Sequence, residues 1–596
     1  MIKDILERAT DEVCVFLKEA GISEPVVIFE RSTSSEFGEY STNVAMRYAK
    51  DLKISPLATA EKLAEYLRAK NIEGIEKIEF IAPGFVNLFF TTKAKVDHIK
   101  SITERGISFG TNDLHKGEKW VIEHSSPNPN KAMHIGHMRN NLVGMGIVRL
   151  LATSGAEVSS DGVYNNRGIS IAKNMYGYLA YMKKNVEAPT DINYWSLHKN
   201  EWFLPADKNM RPDLFVTECY VLGEKDFSSD QAIEQKVRQM VVDWEAGDRA
   251  TWELWEQVLQ YAYDGIGMTL QRLGSHWDKI WYEHEHYQKG KDYVEKGLSN
   301  GLFKKLEDGA IITNLEESYG LSDTILLKKD GTSLYITQDI ALTDLRKKTY
   351  NADKLVWVVG PEQTLAFRQM FAVCEQLGIG RVSDFTHVAY GFVGLRDENG
   401  AFKKMSSREG TAVFADEVLD QVKATIKARF DSEDRHEESK REELAEKLSL
   451  AAVKFAFLRA DSNQSISFDV EQSVDVQGDS GMYVMYSYVR TQSILRKSSN
   501  ASKEVVIPTE PGLESDLLRC LLYFEDVVKK SADSLSVHHV TQYLLSLASE
   551  FNSWYARDII LDGTDQEPYK LAIVEATGVT IKNGLSLLGI DTIDEM

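Results

Sequence analysis

A short apolar strand, a polar turn and a helix follow one another between residues 119 and 155, and this succession constrains the fold most. The run Trp120-Val121-Ile122 is apolar and β-branched, which is typical of a buried strand. After the turn, apolar residues recur at helical spacing as far as Gly155, where the helix is expected to end. The segment therefore predicts the beginning of a nucleotide-binding α/β domain, with its site at the start of the helix.

Two histidines lie in the first turn of this helix. His134 and His137 are three residues apart and share one face, so both can donate hydrogen bonds to phosphate oxygens. The helix N-terminus is expected to add free N–H groups and the positive end of its dipole. Gly136 removes a side chain where a flat base could lie against the backbone. For a lone pair of histidines, capping or packing is the alternative interpretation.

A second motif lies far downstream, and the two together indicate a family. The second motif comprises Lys404, Met405, Ser406, Ser407 and Arg408. In this order and at this separation, the pair resembles the HIGH and KMSKS motifs of class I aminoacyl-tRNA synthetases. The Ser-Ser-Pro-Asn run that contains Ser126 and Asn128 resembles arginyl-tRNA synthetases in particular. The resemblance covers essentially the whole chain and implies an α/β multidomain fold with a Rossmann-type catalytic domain.

Composition excludes several classes of function. At 596 residues the chain is long enough for three or four domains, and its 43% hydrophobic and 27% charged content is that of a soluble enzyme. No apolar run reaches membrane-spanning length, and the four cysteines lie too far apart for a predicted zinc site. The net charge of −21 argues against DNA binding, although a local basic surface is sufficient for tRNA. We expect a cytoplasmic protein.

The resemblance implies a succession of four regions. They are an N-terminal α/β domain that contacts tRNA (1–105), the catalytic domain (119–395), the KMSKS-like loop with a connector (396–430) and a helical anticodon-binding domain (431–596). A polar, helical insertion is expected at about residues 184–264 of the catalytic domain. The tryptophans of this insertion are most simply core anchors, and base stacking is the alternative.

A third group of polar residues is expected to bind the amino acid. Tyr335 and Asp339 are one helical turn apart and face the same way. Gln363 follows an apolar run, 355–359, that predicts a parallel strand, and it lies at the edge where ligands bind. Taken alone, Asp339 is more simply a solvated residue paired with a basic group. The resemblance implies that these residues bind arginine, together with Ser126, Asn128, His137 and Glu283.

The sequence departs from the usual family pattern at several positions. Ser407 stands where the KMSKS motif has its second lysine. Family members without that lysine often carry one at the position of Lys131, which is therefore expected to reach the α-phosphate; a solvated loop lysine is the alternative. The family more often has Asp, Ser and His where this chain has Asn166, His284 and Ala366.

The resemblance implies a reaction in two steps. The carboxylate of arginine attacks the α-phosphate of ATP, which arrives with Mg²⁺, and arginyl-adenylate and pyrophosphate form. The 3′-terminal ribose of tRNA(Arg) then takes the arginyl group. Four residues are expected to stabilise the charge that develops on the α-phosphate: His134, His137, Lys131 and Lys404. Family members generally need bound tRNA for the first step, and we expect a monomer.

Two other functions are compatible with the motifs. A class I synthetase for another amino acid would have a pocket without the pair Tyr335 and Asp339. A synthetase-like protein that binds tRNA or regulates without catalysis would have no need of the histidine pair or of Lys404. The presence of these residues argues against the second alternative.

Overall fold

A computed structural model shows two compact units. It describes residues 2–396, 402–403, 413–433, 437–498, 505, 508 and 512–595. One unit comprises Met1–Asn112, Asp475–Ser531 and His539–Met596, and the other comprises Asp113–Val474 and Ala532–His538. Within the described part of the chain, no helix is long and apolar enough to cross a membrane. The predicted α/β multidomain fold is confirmed.

The second unit is built around a five-stranded parallel sheet. Its strands in chain order are β1 (Lys119–Glu123), β2 (Glu157–Tyr164), β3 (Lys279–Tyr282), β4 (Lys354–Val359) and β5 (Phe385–Ala389). Their order across the sheet is β5-β4-β1-β2-β3, and every neighbouring pair is parallel. The chain changes direction between β1 and β4, so their carboxyl ends border the crevice where such sheets bind ligands.

Four helices adjoin this sheet and carry the candidate residues. They are α1 (Ile135–Thr153), α2 (Ile169–Tyr181), α3 (Tyr335–Tyr350) and α4 (Thr364–Gln376). The predicted strand, turn and helix at residues 119–155 are therefore present as β1 and α1. Trp357 of β4 is buried against the rings of Phe371 and Phe385. This apolar packing confirms that β4 is a covered parallel strand.

A helical insertion separates β2 from β3. After α2, its helices are Ile192–Leu197, Pro212–Ser229, Gln231–Glu245 and Arg249–Arg272. Trp195, Trp202, Trp244 and Trp255 are buried, and half-buried Trp252 stacks on Trp244 at 4.8 Å. The interpretation of these tryptophans as core anchors is therefore confirmed.

Smaller elements complete the second unit. Its short strands are Lys304–Lys305, Ile311–Ile312, Ile325–Leu327, Val393–Arg396, Phe402–Lys403 and Ile466–Phe468. Its other helices are Glu283–His286, Gly290–Ser299, Glu316–Tyr319, Ala415–Glu433, Glu438–Leu458 and Val470–Ser473. The strand Val393–Arg396 pairs in parallel with Ile466–Phe468. This pairing joins the chain before the KMSKS-like segment to the chain well after it.

The first unit joins an antiparallel sheet to a group of helices. The sheet contains Glu30–Arg31, Tyr40–Thr42, Phe85–Phe90 and Ile75–Ile81, in that spatial order. The N-terminal helices are Ile2–Glu19, Val44–Arg47, Ala49–Leu52, Pro56–Lys70 and Thr92–Arg105. The C-terminal helices are Gly481–Lys497, Ser515–Leu521, Phe524–Asp533, His538–Arg557 and Glu567–Leu587. The Tyr523 hydroxyl donates to the carbonyl of Glu39 at 2.7 Å, which links the two parts.

A close helix contact in the insertion gives a stability prediction. A Cβ on Gly177 of α2 would lie 1.9 Å from the carbonyl oxygen of Cys219, so Gly177→Ala should force the two helices apart. We expect a loss of about 1–3 kcal/mol in the free energy of unfolding, measured by denaturant titration. Gly267→Ala is the matched control, because no heavy atom lies within 4 Å of its Cβ position. It should stabilise by about 0.5–1 kcal/mol, and equal effects of the two variants would contradict this packing.

Candidate active site

The two histidines form the N-terminal cap of α1. The ring Nδ1 of His134 accepts hydrogen bonds from the backbone N–H groups of Gly136 and His137, at 3.1 and 3.3 Å. The backbone N–H of His134 donates to Nδ1 of His137 at 3.4 Å. The two rings stack with their centroids 3.7 Å apart. This reciprocal capping fixes both rings at the carboxyl-terminal side of β1.

The helix N-terminus is not open to a phosphate, which corrects one expectation. His134 caps the N–H groups of Gly136 and His137, while Ile135 donates to the carbonyl of Val413 at 3.2 Å. The N–H of Met138 donates to the carbonyl of His134 at 3.1 Å. The first four N–H groups of α1 therefore have partners within the protein. The expectation failed because an imidazole occupies the place expected for the phosphate.

The same contacts determine what the rings can offer to a ligand. Because each Nδ1 accepts a hydrogen bond, the proton of each neutral ring lies on Nε2. Burial lowers the pKa of His134 to about 4, and the charge of Lys131 contributes to the decrease. Burial also lowers the pKa of His137 well below its ordinary value. At neutral pH both histidines are therefore uncharged Nε2–H donors.

Lys131 provides the positive charge next to these donors. Its charge lowers the pKa of both histidines, so its ammonium group lies near both rings. The next residue, Ala132, donates its N–H to the Thr217 hydroxyl at 2.7 Å, which holds the turn against the insertion. Gly136 leaves room for the His134 ring, because a Cβ there would lie 3.0 Å from it. The contact of Gly136 with a base stays a prediction.

The KMSKS-like residues Lys404, Met405, Ser406 and Ser407 lie outside the described residues. The segment immediately after them is described from Val413 onwards. There the N–H of Ala415 donates to the carbonyl of Met133 at 2.9 Å, and Phe414 forms an antiparallel bridge with His134. The backbone of this segment therefore attaches directly to the turn that carries the histidines.

Acidic residues gather at the carboxyl ends of the strands. Glu123 ends β1, Asp161 belongs to β2, Glu283 follows β3 and Asp339 lies on α3. The buried Arg346, also on α3, contacts the first two of these acids. Its Nε and Nη2 donate to the Asp161 carboxylate at 2.9 and 3.0 Å, and its Nη1 pairs with Glu123 at 2.8 Å.

Within the part of the chain that the structure describes, Asp339 and Glu283 form no ion pair as short as those of Arg346. The Asp339 side chain is exposed, yet the surrounding protein atoms and the charges of Glu123 and Glu283 raise its pKa to about 7, against the opposing effect of Arg346. Burial raises the pKa of Glu283 to about 7, against the opposing effects of Arg167 and Gln338. The four acids of this cluster outnumber the two nearby arginines, Arg346 and Arg167. The cleft therefore has the electrostatic character of a cation-binding site.

The remaining predicted residues surround this cleft. Tyr335 begins α3 one turn before Asp339, and its side chain is 75% exposed. Gln363 is exposed in the turn after β4. The Ser126 hydroxyl donates to Glu123 at 3.0 Å and accepts from the N–H of Val163 at 2.9 Å. Exposed Asn128 accepts a hydrogen bond from the Asn165 side chain at 3.4 Å.

Sequence reasoning missed three charged residues of the site: Glu123, Arg346 and Arg167. Glu123 could have been noticed as the acidic end of a buried strand at the predicted ligand edge. Arg346 is two helical turns after Asp339, so their shared face was also visible. No pattern in the sequence indicates the contact between Arg167 and Glu283.

Metal binding gives no further candidate. Among the residues that the structure describes, no group of three or more His, Cys, Asp or Glu side chains is arranged to hold a metal ion. The predicted absence of zinc stays a prediction.

Comparisons with known proteins extend over the whole chain. Family models match at residues 1–90 (arginyl tRNA synthetase N terminal domain), 98–165 and 206–470 (tRNA synthetases class I (R), catalytic domain) and 484–596 (DALR anticodon binding domain). The arginine–tRNA ligase of Porphyromonas gingivalis is 31% identical over 99% of this chain and 100% of its own length. That of Bacteroides thetaiotaomicron is 31% identical over 95% of each chain.

Solved structures show the same fold. The arginyl-tRNA synthetase of Thermus thermophilus superimposes with a TM-score of 0.80, at 22% identity and full coverage of both chains. The family models and the 31% identical relatives confirm the family that the motifs predicted. The chain belongs to the arginyl-tRNA synthetases, class I enzymes that use ATP to join arginine to tRNA.

Proposed function

We propose that Asp339 and Glu283 together bind the guanidinium group of L-arginine. The supporting observation is the raised pKa of both carboxyl groups, which are close enough to interact and whose negative charge Arg346 and Arg167 only partly offset. A planar guanidinium matches a carboxylate through two parallel hydrogen bonds. A bound guanidinium group neutralises the negative charge of these carboxylates, so the pocket is complementary in charge to this substrate.

The other ends of arginine are assigned to neighbouring residues. Tyr335 lies beside the side chain of the substrate, whereas Ser126, Asn128, His137 and Gln363 hold the α-amino and carboxylate groups. Ser126 acts partly through Glu123, since its hydroxyl donates to that carboxylate at 3.0 Å. Glu123 and the carboxyl end of β1 then lie between the arginine pocket and the histidine pair.

In the activation step, a carboxylate oxygen of arginine forms a bond to the α-phosphorus of ATP. The bond from this phosphorus to the oxygen bridging the β-phosphate breaks, and pyrophosphate leaves with its Mg²⁺. His134 and His137 donate Nε2–H hydrogen bonds to phosphate oxygens, while Lys131 and Lys404 supply positive charge. Gly136, Met405, Ser406 and Ser407 are the remaining proposed ATP contacts.

In the transfer step, a hydroxyl oxygen of the 3′-terminal ribose attacks the carbonyl carbon of arginyl-adenylate. The bond from that carbon to the phosphate oxygen breaks, and AMP leaves. We assign tRNA(Arg) contacts to residues 1–105 and to the helical region 431–596, with the catalytic region 119–395 and the connector 396–430 between them. We further propose that the enzyme acts as a monomer in the cytoplasm.

The first prediction concerns the guanidinium pocket. Asp339→Asn, and equally Asp339→Ala, should raise the KM for arginine by about 100-fold, because charge-assisted hydrogen bonds are lost. The KM for ATP should change little, measured by pyrophosphate exchange with tRNA present. Asp344→Asn on the same helix is the matched control, because Asp344 bonds to Tyr293 and Lys348 instead.

The same assay tests amino-acid specificity. A site that hydrogen-bonds its substrate rejects a mismatched analogue by up to about 10⁴–10⁵-fold, so lysine should be a very poor substrate. Comparable turnover of lysine, or an unchanged arginine KM in Asp339→Asn, would remove Asp339 from the pocket.

The second prediction concerns Lys131. Lys131→Ala should lower kcat for activation by about 100-fold or more and leave tRNA affinity nearly unchanged, because a charge on the α-phosphate is lost. Ser407→Lys in the same variant should recover part of the rate. Lys116→Ala is the control, because this exposed lysine pairs with Asp113 at 3.3 Å. Near-normal activation by Lys131→Ala would make Lys131 a solvated loop residue.

A further inference from the structure

Asn166 fixes the backbone that carries Glu283. It lies two residues after β2 and is 1% exposed. Both the oxygen and the nitrogen of its side-chain amide form hydrogen bonds. Its Oδ1 accepts the backbone N–H of His284 at 3.2 Å, and its Nδ2 lies 2.9 Å from Nδ1 of the same histidine. Nδ2 also donates to the Tyr263 hydroxyl at 3.0 Å. Since His284 directly follows Glu283, these bonds hold the start of the short helix Glu283–His286.

Arg167, the next residue, contacts the carboxylate itself. Its Nη1 lies 3.8 Å from Oε1 of Glu283, and its Nη2 donates to Glu245 of the insertion at 2.6 Å. The guanidinium group lies over the Tyr287 ring, 3.7 Å from its centroid, which restricts its movement. Arg167 is therefore a fixed cation near Glu283, but too distant for a short ion pair.

The charges around Glu283 are few and can be named. Arg167 faces it from the segment after β2, while Gln338 and Asp339 face it from α3. His284, Glu285 and His286 follow it on its own helix. Among the described residues whose charges act on Glu283, Arg167 is the cation that favours its ionised form. The distance of 3.8 Å leaves the carboxylate oxygens able to accept hydrogen bonds from a ligand.

We propose that Asn166 and Arg167 form a clamp that positions Glu283 for the guanidinium group of arginine. Asn166 fixes the backbone of Glu283 through His284, and Arg167 favours the ionised form of the carboxylate without occupying it. Both are positioning residues, because neither is assigned a contact with the substrate. The inference rests on the proposed role of Glu283 in binding arginine.

Arg167→Gln tests the charge of the clamp through a pH profile. Without the cation, the pKa of Glu283 rises further, so the carboxyl group takes up a proton at a higher pH. The ratio of arginine KM in the variant to that in the parent should be near one at about pH 9. It should reach about fivefold at about pH 7 and approach tenfold at about pH 6, for a rise of about one pKa unit above the parent value of about 7. Arg167→Lys keeps the charge and should bring the ratio at pH 7 back towards one.

Asn166→Leu tests the hydrogen bond from the backbone N–H of His284 to Asn166. It keeps the volume but removes the acceptor for His284 and should raise the arginine KM about tenfold at every pH. The KM for ATP and kcat should change much less. Asn166→Asp retains the acceptor and should restore most of the affinity. Tyr263→Phe is the matched control, since it removes a partner of Asn166 without touching His284.

The outcomes separate this inference from the proposed function. A KM ratio for Arg167→Gln that stays constant between pH 7 and 9 would overturn the charge role, as would failure of Arg167→Lys to restore it. Equal effects of Asn166→Leu and Tyr263→Phe on arginine KM would overturn the backbone role. If the parent enzyme binds arginine and Asp339→Asn raises the arginine KM, either of these two results would reject the clamp but not the arginine pocket. An unchanged KM in both Asp339→Asn and Glu283→Gln would reject the pocket itself.

Discussion

The ion pairs of Arg346 hold the catalytic half of the molecule in its working arrangement. This buried guanidinium comes from α3 and joins Asp161 of β2 to Glu123 of β1. The Trp281 indole of β3 also donates to Asp161 at 2.7 Å, so three strands and a helix meet at this point. Removing one partner from such a buried network typically costs about 3–5 kcal/mol, because an uncompensated charge remains.

This network also accounts for the electrostatics of the arginine pocket. Arg346 is committed to Asp161 and Glu123, so it only partly offsets the negative charge around Asp339, which lies two turns earlier on the same helix. The carboxyl groups of Glu283 and Asp339 therefore have raised pKa values. In the pocket that we propose, a substrate cation relieves this cost when it binds, so buried Arg346 indirectly favours the selection of a second guanidinium group. Sites of this kind are often arranged at some expense of stability.

The phosphate side of the site follows a different principle. The N–H groups at the start of α1 are satisfied by His134, by Val413 and within the helix, so the backbone dipole is not exposed to ATP. In the mechanism that we propose, the contacts to ATP come instead from imidazole Nε2–H groups and lysine side chains. Because the His134 and His137 rings fix one another, these donors are preorganised before ATP binds.

Local patterns in the sequence predicted the elements of the fold. They did not predict which groups form the hydrogen bonds and ion pairs of the site. The apolar run 355–359 and the segment before Gly155 became β4 and α1, because burial and helix termination are local signals. The sequence left capping by His134 open as the alternative interpretation, because a polar side chain in a first turn can serve either the backbone or a ligand. The contact of Arg346 with Asp161 joins positions 185 residues apart, and sequence spacing carries no information about such a contact.

Proton release on arginine binding tests the central claim most directly. With pKa values near 7 for Glu283 and Asp339, both carboxyl groups are largely protonated in the free enzyme at about pH 6.5. Calorimetric titration with arginine, with tRNA present and in buffers of different ionisation enthalpy, should show the release of about one to two protons at this pH. Almost none should be released at about pH 8.5. Binding at pH 6.5 without proton release would contradict a pocket whose acids become charged to hold a guanidinium group.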